Sequence, residues 1–287
     1  MVLERNTYPS GVPCWIDTAQ PDPESAVAFY RGLFDWEFVD RMPADVAGQY
    51  FLAQLRGRDV AAVGSVREGM PTTPVWSTYI AVHSADDAAA KVEEAGGTTL
   101  MEPFDVLDAG RMATFADPFG AVFSVWEANQ HIGAQLVNEP NTWNWSDLNT
   151  RDPEGCKAFY GAVFGWEADT VDFGYGQATM FRRPGYGHIL DLKDPDLRRR
   201  QAAAGWPTGF EDTIGWIRPM TADQFPEDLP PHWSVTFAVD DTDAMVQRAT
   251  ELGGAVEMPA MDFGEIRIAA LRDPQGAGFL VSRYQPG

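Results

Sequence analysis
Apolar and polar residues alternate along residues 12–18, the period of a strand with one covered face. Asp22-Pro23-Glu24 then opens a helix: the aspartate caps free amides, the proline fits the first turn, and the glutamate suits the positive end of the dipole. Val27, Tyr30 and Phe34 give that helix its apolar stripe. Strands are expected near 36–41, 49–55 and 58–66, with turns at Ala47-Gly48 and Gly57-Arg58, completing one β-α-β-β-β unit. A second unit follows at once. It has a strand over Val75–Val82, a helix over Asp86–Ala95 stopped by Gly96-Gly97, and strands near 98–102, 111–116 and 121–127. Asp117-Pro118-Phe119-Gly120 makes the last turn.

The whole pattern is then written again. Trp15-Ile16-Asp17, Asp22-Pro23-Glu24, Ala28-Phe29-Tyr30 and Trp36-Glu37 recur, each 130 residues on, as Trp145-Ser146-Asp147, Asp152-Pro153-Glu154, Ala158-Phe159-Tyr160 and Trp166-Glu167. Further along the offset is larger: Trp76-Ser77 matches Trp233-Ser234 at 157, and Asp117-Pro118 matches Asp273-Pro274 at 156. The chain therefore divides into an arm (1–11) expected to be loose, a first domain (12–128), a connector (129–141) and a second domain (142–287). The growth in offset predicts an insertion at about 193–231, which carries Arg198-Arg199-Arg200, Trp206 and Trp216. A long insertion of this kind is read as a lid or binding loop.

Composition narrows the classes. The 287 residues, 45% hydrophobic, suffice for two ordinary cores. No apolar run is long enough to span a bilayer, and the opening Met1-Val2-Leu3-Glu4-Arg5 does not read as a signal peptide, so a cytoplasmic location is expected. Cys14 and Cys156 are expected to be small core residues. With 21 basic against 42 acidic residues the net charge is −21, which repels nucleic acid and anionic membranes. That charge fits either plain solubility or attraction of a cationic ligand.

Four β-α-β-β-β units, with an Ala-Phe-Tyr signature on the first helix of each half and Asp-Pro-x-Gly turns closing alternate units, resemble the vicinal oxygen chelate superfamily of glyoxalases, extradiol dioxygenases and bleomycin-resistance proteins. Cys14-Trp15-Ile16-Asp17, Phe34-Asp35-Trp36, Asp108-Ala109-Gly110-Arg111-Met112 and His131-Ile132-Gly133-Ala134 are similar to actinobacterial tandem members labelled hydroxylases or glyoxalase-like. The resemblance implies an α+β fold of two tandem domains, each a cupped eight-stranded mixed sheet with helices outside. Metal-using members place ligands at three inward positions per cup. Here those positions hold Trp15, Ser77 and Ser124, and then Trp145, Ser234 and Leu280, none of them an imidazole or carboxylate. His83, His131, His188 and His232 show no ligand spacing. No metal and no cofactor are expected.

Alternation turns Trp15, Asp17, Ser77, Tyr79, Ser124 and Trp126 into the first cup, and Trp145, Asp147, Ser234 and Thr236 into the second. Each cup thus offers an indole, a carboxylate and hydroxyls. The tryptophans read either as core filling or as walls for a flat ligand, and the aspartates either as structural carboxylates or as desolvated bases. Arg111 and Arg267 recur at equivalent places, paired either with a protein carboxylate or with one on the ligand. The candidate catalytic residues are Asp147, Asp17 and Arg267. The candidate ligand contacts are Trp15, Ser77, Tyr79, Arg111, Ser124, Trp126, Trp145, Ser234, Thr236 and Leu280. The second cup is preferred because it alone carries the insertion.

The expected partner is a small, aromatic molecule, with neither nucleic acid nor membrane, and the chain is expected to be a monomer or homodimer. Three activities fit. The first is a metal-independent isomerase, cyclase or lyase with an aspartate base, acting on an aromatic or polyketide-like metabolite in secondary metabolism or detoxification. The second is a protein that sequesters a drug or metabolite, and the third a metal-dependent glyoxalase-type lyase.

Overall fold
The computed structural model describes residues 7–66, 73–172, 177–192 and 194–285. The first half runs β1 (Pro13–Gln20), α1 (Pro23–Phe34), β2 (Glu37–Asp40), β3 (Tyr50–Leu55), β4 (Arg58–Ser65), β5 (Trp76–Ala81), α2 (Ala85–Glu94), β6 (Thr98–Val106), β7 (Gly110–Ala116) and β8 (Val122–Ala128). The second half runs β9 (Thr142–Thr150), α3 (Pro153–Phe164), β10 (Glu167–Asp172), β11 (Gln177–Arg182), α4 (Tyr186–Asp191), α5 (Leu197–Ala203), β12 (Thr213–Pro219), β13 (His232–Ala238), α6 (Thr242–Glu251), β14 (Ala255–Phe263), β15 (Ile266–Arg272) and β16 (Gly278–Tyr284). Each half forms one eight-stranded mixed sheet, ordered β2-β3-β4-β1-β5-β8-β7-β6 and β10-β11-β12-β9-β13-β16-β15-β14. The α+β architecture of two tandem domains is therefore the one the sequence implies.

The helix starts behave as capping chemistry dictates. Asp22 accepts from the Ser25 amide at 3.1 Å and Asp152 from the Gly155 amide at 2.9 Å, with Pro23 and Pro153 in the first turns.

The sheets follow the two halves, but the cores do not. Tyr30 and Phe34 of α1 sit in one apolar cluster with Phe237 of β13 and Phe279 of β16. Phe159 and Tyr160 of α3 sit in the other with Phe115 of β7 and Phe123 of β8. The Tyr30 hydroxyl donates to Asp273 Oδ2 at 2.9 Å, and Tyr160 donates to Asp117 Oδ2 at 3.1 Å. The second oxygens of these aspartates cap their own turns: Asp117 takes the amides of Phe119 and Ala121, and Asp273 those of Gln275, Gly276 and Ala277. Each signature tyrosine thus bonds to the signature aspartate of the other half.

Two expectations need correction. The strand register makes β12 the counterpart of β4, since Thr18 pairs with Val63 and Leu148 with Ile217. The added residues therefore lie between β11 and β12, over 183–212, and not over 193–231. The strand was hidden because Ile214 and Ile217, three apart, both join the helix-side core, and the ladder slips at Phe181/Arg182. The described part of the arm is also anchored. Tyr8 donates to the Ala134 carbonyl at 2.7 Å, and Trp166 Nε1 to the Gly11 carbonyl at 2.7 Å.

Candidate functional site
In both sheets the helix side is read from the fully buried residues. Ile16, Ile80 and Val125 face the helices in one half, and Leu148, Val235, Phe237 and Val281 in the other. The intervening residues face the inner side.

The first inner face is filled by its own side chains. Trp15, 3% exposed, donates through Nε1 to the Tyr50 hydroxyl at 3.1 Å. Tyr50 and Tyr79 both donate to Asp17 Oδ2, at 3.0 and 2.9 Å. The Thr114 and Ser124 hydroxyls bond at 2.9 Å. Trp126 Nε1 donates to the His131 carbonyl at 2.7 Å, and the His131 ring stands edge-on to Trp15 and Trp126 at 4.6 and 6.0 Å. Burial pulls the His131 pKa below its ordinary value, partly offset by Asp59 at 3.7 Å. The connector is held there by Gly133, at φ 102°, where a Cβ would lie 2.2 Å from the Cys14 carbonyl oxygen.

The second inner face is different. Asp147 is 7% exposed, and its Oδ1 meets no hydrogen-bond partner among the described residues. Burial pushes its pKa up to about 6, against the opposing pull of Arg218 and the Trp216 backbone. Thr236, 3% exposed, likewise has an Oγ1 with no partner among the described residues. Ser234 is engaged: Asn149 Nδ2 donates to its hydroxyl at 3.0 Å. The wall is aromatic. Trp145 lies 6.0 Å from Trp216 and 6.3 Å from Phe210, and Phe210 stacks on Trp206 at 4.3 Å and 15°. All four rings are half-buried, whereas the first cup's Trp15, Tyr79 and Trp126 are buried. Trp206 and Phe210 come from the added segment, which therefore lies against this face.

The structure takes Arg111 and Arg267 out of the cups. Arg267 is two residues from the helix-side Ala269, so it points to the helix side, where it bonds to Asp243 of α6 at 2.6 and 2.8 Å and to Asp262 of β14 at 2.9 Å. Arg111 bonds in the same way to Asp86 and Asp105. Asp17, Trp15, Ser77, Tyr79, Ser124 and Trp126 do gather on one face, and Asp147, Trp145, Ser234, Thr236 and Leu280 on the other. Tyr50 and Phe210 escaped the sequence reading, and Trp206 and Trp216 entered it only as parts of the insertion. Tyr50 has no equivalent aromatic in the second copy to draw attention to it, and Trp216 was hidden with its strand.

The donor set does not suit a divalent ion. The three ligand positions of each cup hold indoles, hydroxyls and Leu280, and no group of three His, Cys, Asp or Glu residues converges among the described residues. Both thiols are raised by burial, Cys156 to about 12, and are inert as nucleophiles.

Two tandem β-α-β-β-β pairs, each forming one eight-stranded mixed sheet with the helices of those units on the opposite side from the inner face, define a protein of the glyoxalase type. Residues 15–125 match the Glyoxalase/Bleomycin resistance protein/Dioxygenase superfamily, and residues 145–282 match a Glyoxalase-like domain. The chain belongs to this superfamily. It is 36% identical to CFP32 of Mycobacterium tuberculosis (strain CDC 1551 / Oshkosh), provisionally named a glyoxylase, over 99% of this chain and 98% of that protein. It is also 36% identical to the anthracycline biosynthesis protein DauV of Streptomyces sp. (strain C5), over 96% of this chain and 94% of that one. The Mn(II)-bound glyoxalase from Novosphingobium aromaticivorans shares the fold with a TM-score of 0.59 at 17% identity, over 96% of this chain and 82% of that one. Among the described residues no helix is long and apolar enough to cross a membrane.

Proposed function
We propose that the second cup is the working site of a metal-independent isomerase, cyclase or lyase that acts on a small aromatic or polyketide-like metabolite. The observation that carries this reading is Asp147: a buried carboxyl with an unpartnered oxygen and a pKa raised to about 6, beside half-buried indoles. Such a group is poised to take a proton near neutral pH and return it at another atom of the same ligand. Trp145 and Trp216 supply the faces on which a flat molecule stacks. A relative named for anthracycline biosynthesis supports that ligand class.

The half-open aromatic wall, together with the charge of −21, also favours a second reading, a protein that traps a cationic aromatic molecule unchanged. Turnover separates the two. An enzyme converts many equivalents of an aromatic polyketide under single-enzyme conditions, and Asp147→Asn stops conversion while binding survives. Retention of full turnover by that variant would remove Asp147 as the base. Absence of turnover with tight one-to-one binding would establish the trap.

A further inference from the structure
The two cups are copies of one design, so each shows what the other lacks. In the first, the carboxylate of Asp17 is met by two phenols, Tyr50 and Tyr79. Its counterpart Asp147 has neither. At the offset of 157, Tyr79 becomes Thr236. Tyr50 becomes Ala178, because Val63 corresponds to Ile217, Ala62 pairs with Leu52, and Trp216 pairs with Met180. Both losses leave a mark. Asp147 Oδ1 and Thr236 Oγ1 are buried without partners among the described residues, although a buried oxygen without a hydrogen bond is strongly disfavoured. Register places the two on one face as diagonal neighbours, since Asp147 pairs with Ser234 and Thr236 with Trp145.

We infer that the ligand of the second cup is a hydroxylated fused aromatic whose phenolic hydroxyls take the place of the missing tyrosines, one donating to Asp147 and a second oxygen reaching Thr236. The ring lies against Trp145 and Trp216, where the first cup has its own filled interior. This assignment rests on the second cup being the working site, and it adds what the site recognises there. It also explains why the chain keeps an aspartate that is costly to bury: the ligand completes its hydrogen bonding.

Isothermal titration calorimetry with naphthoresorcinol, its dimethyl ether and naphthalene tests the idea on the full chain. The diol should bind at least about tenfold tighter than either analogue, the usual effect of a hydrogen bond to a charged acceptor. Trp145→Ala should weaken it. Thr236→Tyr, which restores the first cup's phenol, should abolish the preference by satisfying Asp147 from within. Ala178→Tyr supplies the other phenol and should act in the same direction if Thr236→Tyr does not fold. Equal affinity for the diol and its ether, with both weakened by Trp145→Ala, would overturn the inference and leave the cup as the site. No binding of any of the three, or binding indifferent to Trp145→Ala, would overturn both.

Discussion

The buried acid of the second cup makes a quantitative prediction. Asp147 has a pKa of about 6 in the folded chain against an ordinary 3.8, because burial disfavours the charge. At about 1.36 kcal/mol per pH unit, ionised Asp147 costs the folded state about 3 kcal/mol. A raised acid contributes its stability below the unfolded pKa and loses it as the pH climbs through the folded one. The loss therefore falls mainly between pH 4 and about 6.5. Asparagine is neutral throughout, so Asp147→Asn should gain on the natural protein as the pH rises. Between pH 5 and 8 the gain should be about 1–2 kcal/mol by the same linkage, or about 2–4 °C in Tm for a chain of this size. Urea unfolding followed by tryptophan fluorescence at four pH values reads the difference between the two proteins, and contributions from other carboxylates cancel. A difference that stays flat from pH 5 to 8 would show that Asp147 titrates as an ordinary surface acid. The case for it as a base would then fall.

Three further outcomes are expected. Tyr30→Phe should lower stability by about 1–2 kcal/mol, and Asp273→Ala by about 3 kcal/mol or more, since the latter strands Tyr30, Gln20 and three turn amides; denaturant titration measures both. Gly133→Ala should cost at least about 2 kcal/mol, because φ 102° and the Cys14 carbonyl both resist a Cβ, and a smaller loss would mean that the connector is not held against the first cup. Elemental analysis of protein purified without an affinity tag should find well under one transition-metal ion per chain. A stoichiometric ion would contradict the reading of Trp15, Ser77, Ser124, Trp145, Ser234 and Leu280.

Much of this was legible in the residues. Asp22-Pro23-Glu24 and Asp152-Pro153-Glu154 announce helices because capping is local chemistry, and Asp117-Pro118 and Asp273-Pro274 announce turns for the same reason. Strand alternation placed Asp17 and Asp147 on inner faces correctly. It failed at β12, where a slipped register spoils the period. For Arg111 and Arg267 recurrence left two readings open, a protein carboxylate or one on the ligand, and the protein carboxylates Asp86 and Asp243 in the first turns of α2 and α6 take them. The partner of Tyr30 was beyond reach altogether. A repeat shows which residues are equivalent, but not whether Tyr30 meets Asp117 of its own copy or Asp273 of the other. That choice is made by tertiary packing.

The exchange of tyrosines between halves has a genetic consequence. A single copy expressed alone would show an uncovered apolar sheet and a phenol without its acceptor, so it would persist only as a symmetric pair. The tandem chain is then such a pair written into one gene. In a homodimer every substitution strikes both sites at once, and a change that empties one cup empties the other. Fusion breaks that bond of identity. The first copy keeps its inner face filled with Tyr50 and Tyr79, while the second carries Ala178 and Thr236 at those places. Fragments 7–138 and 139–285 should accordingly be insoluble apart and soluble when co-expressed, whereas independent folding of either would refute this origin of the asymmetry.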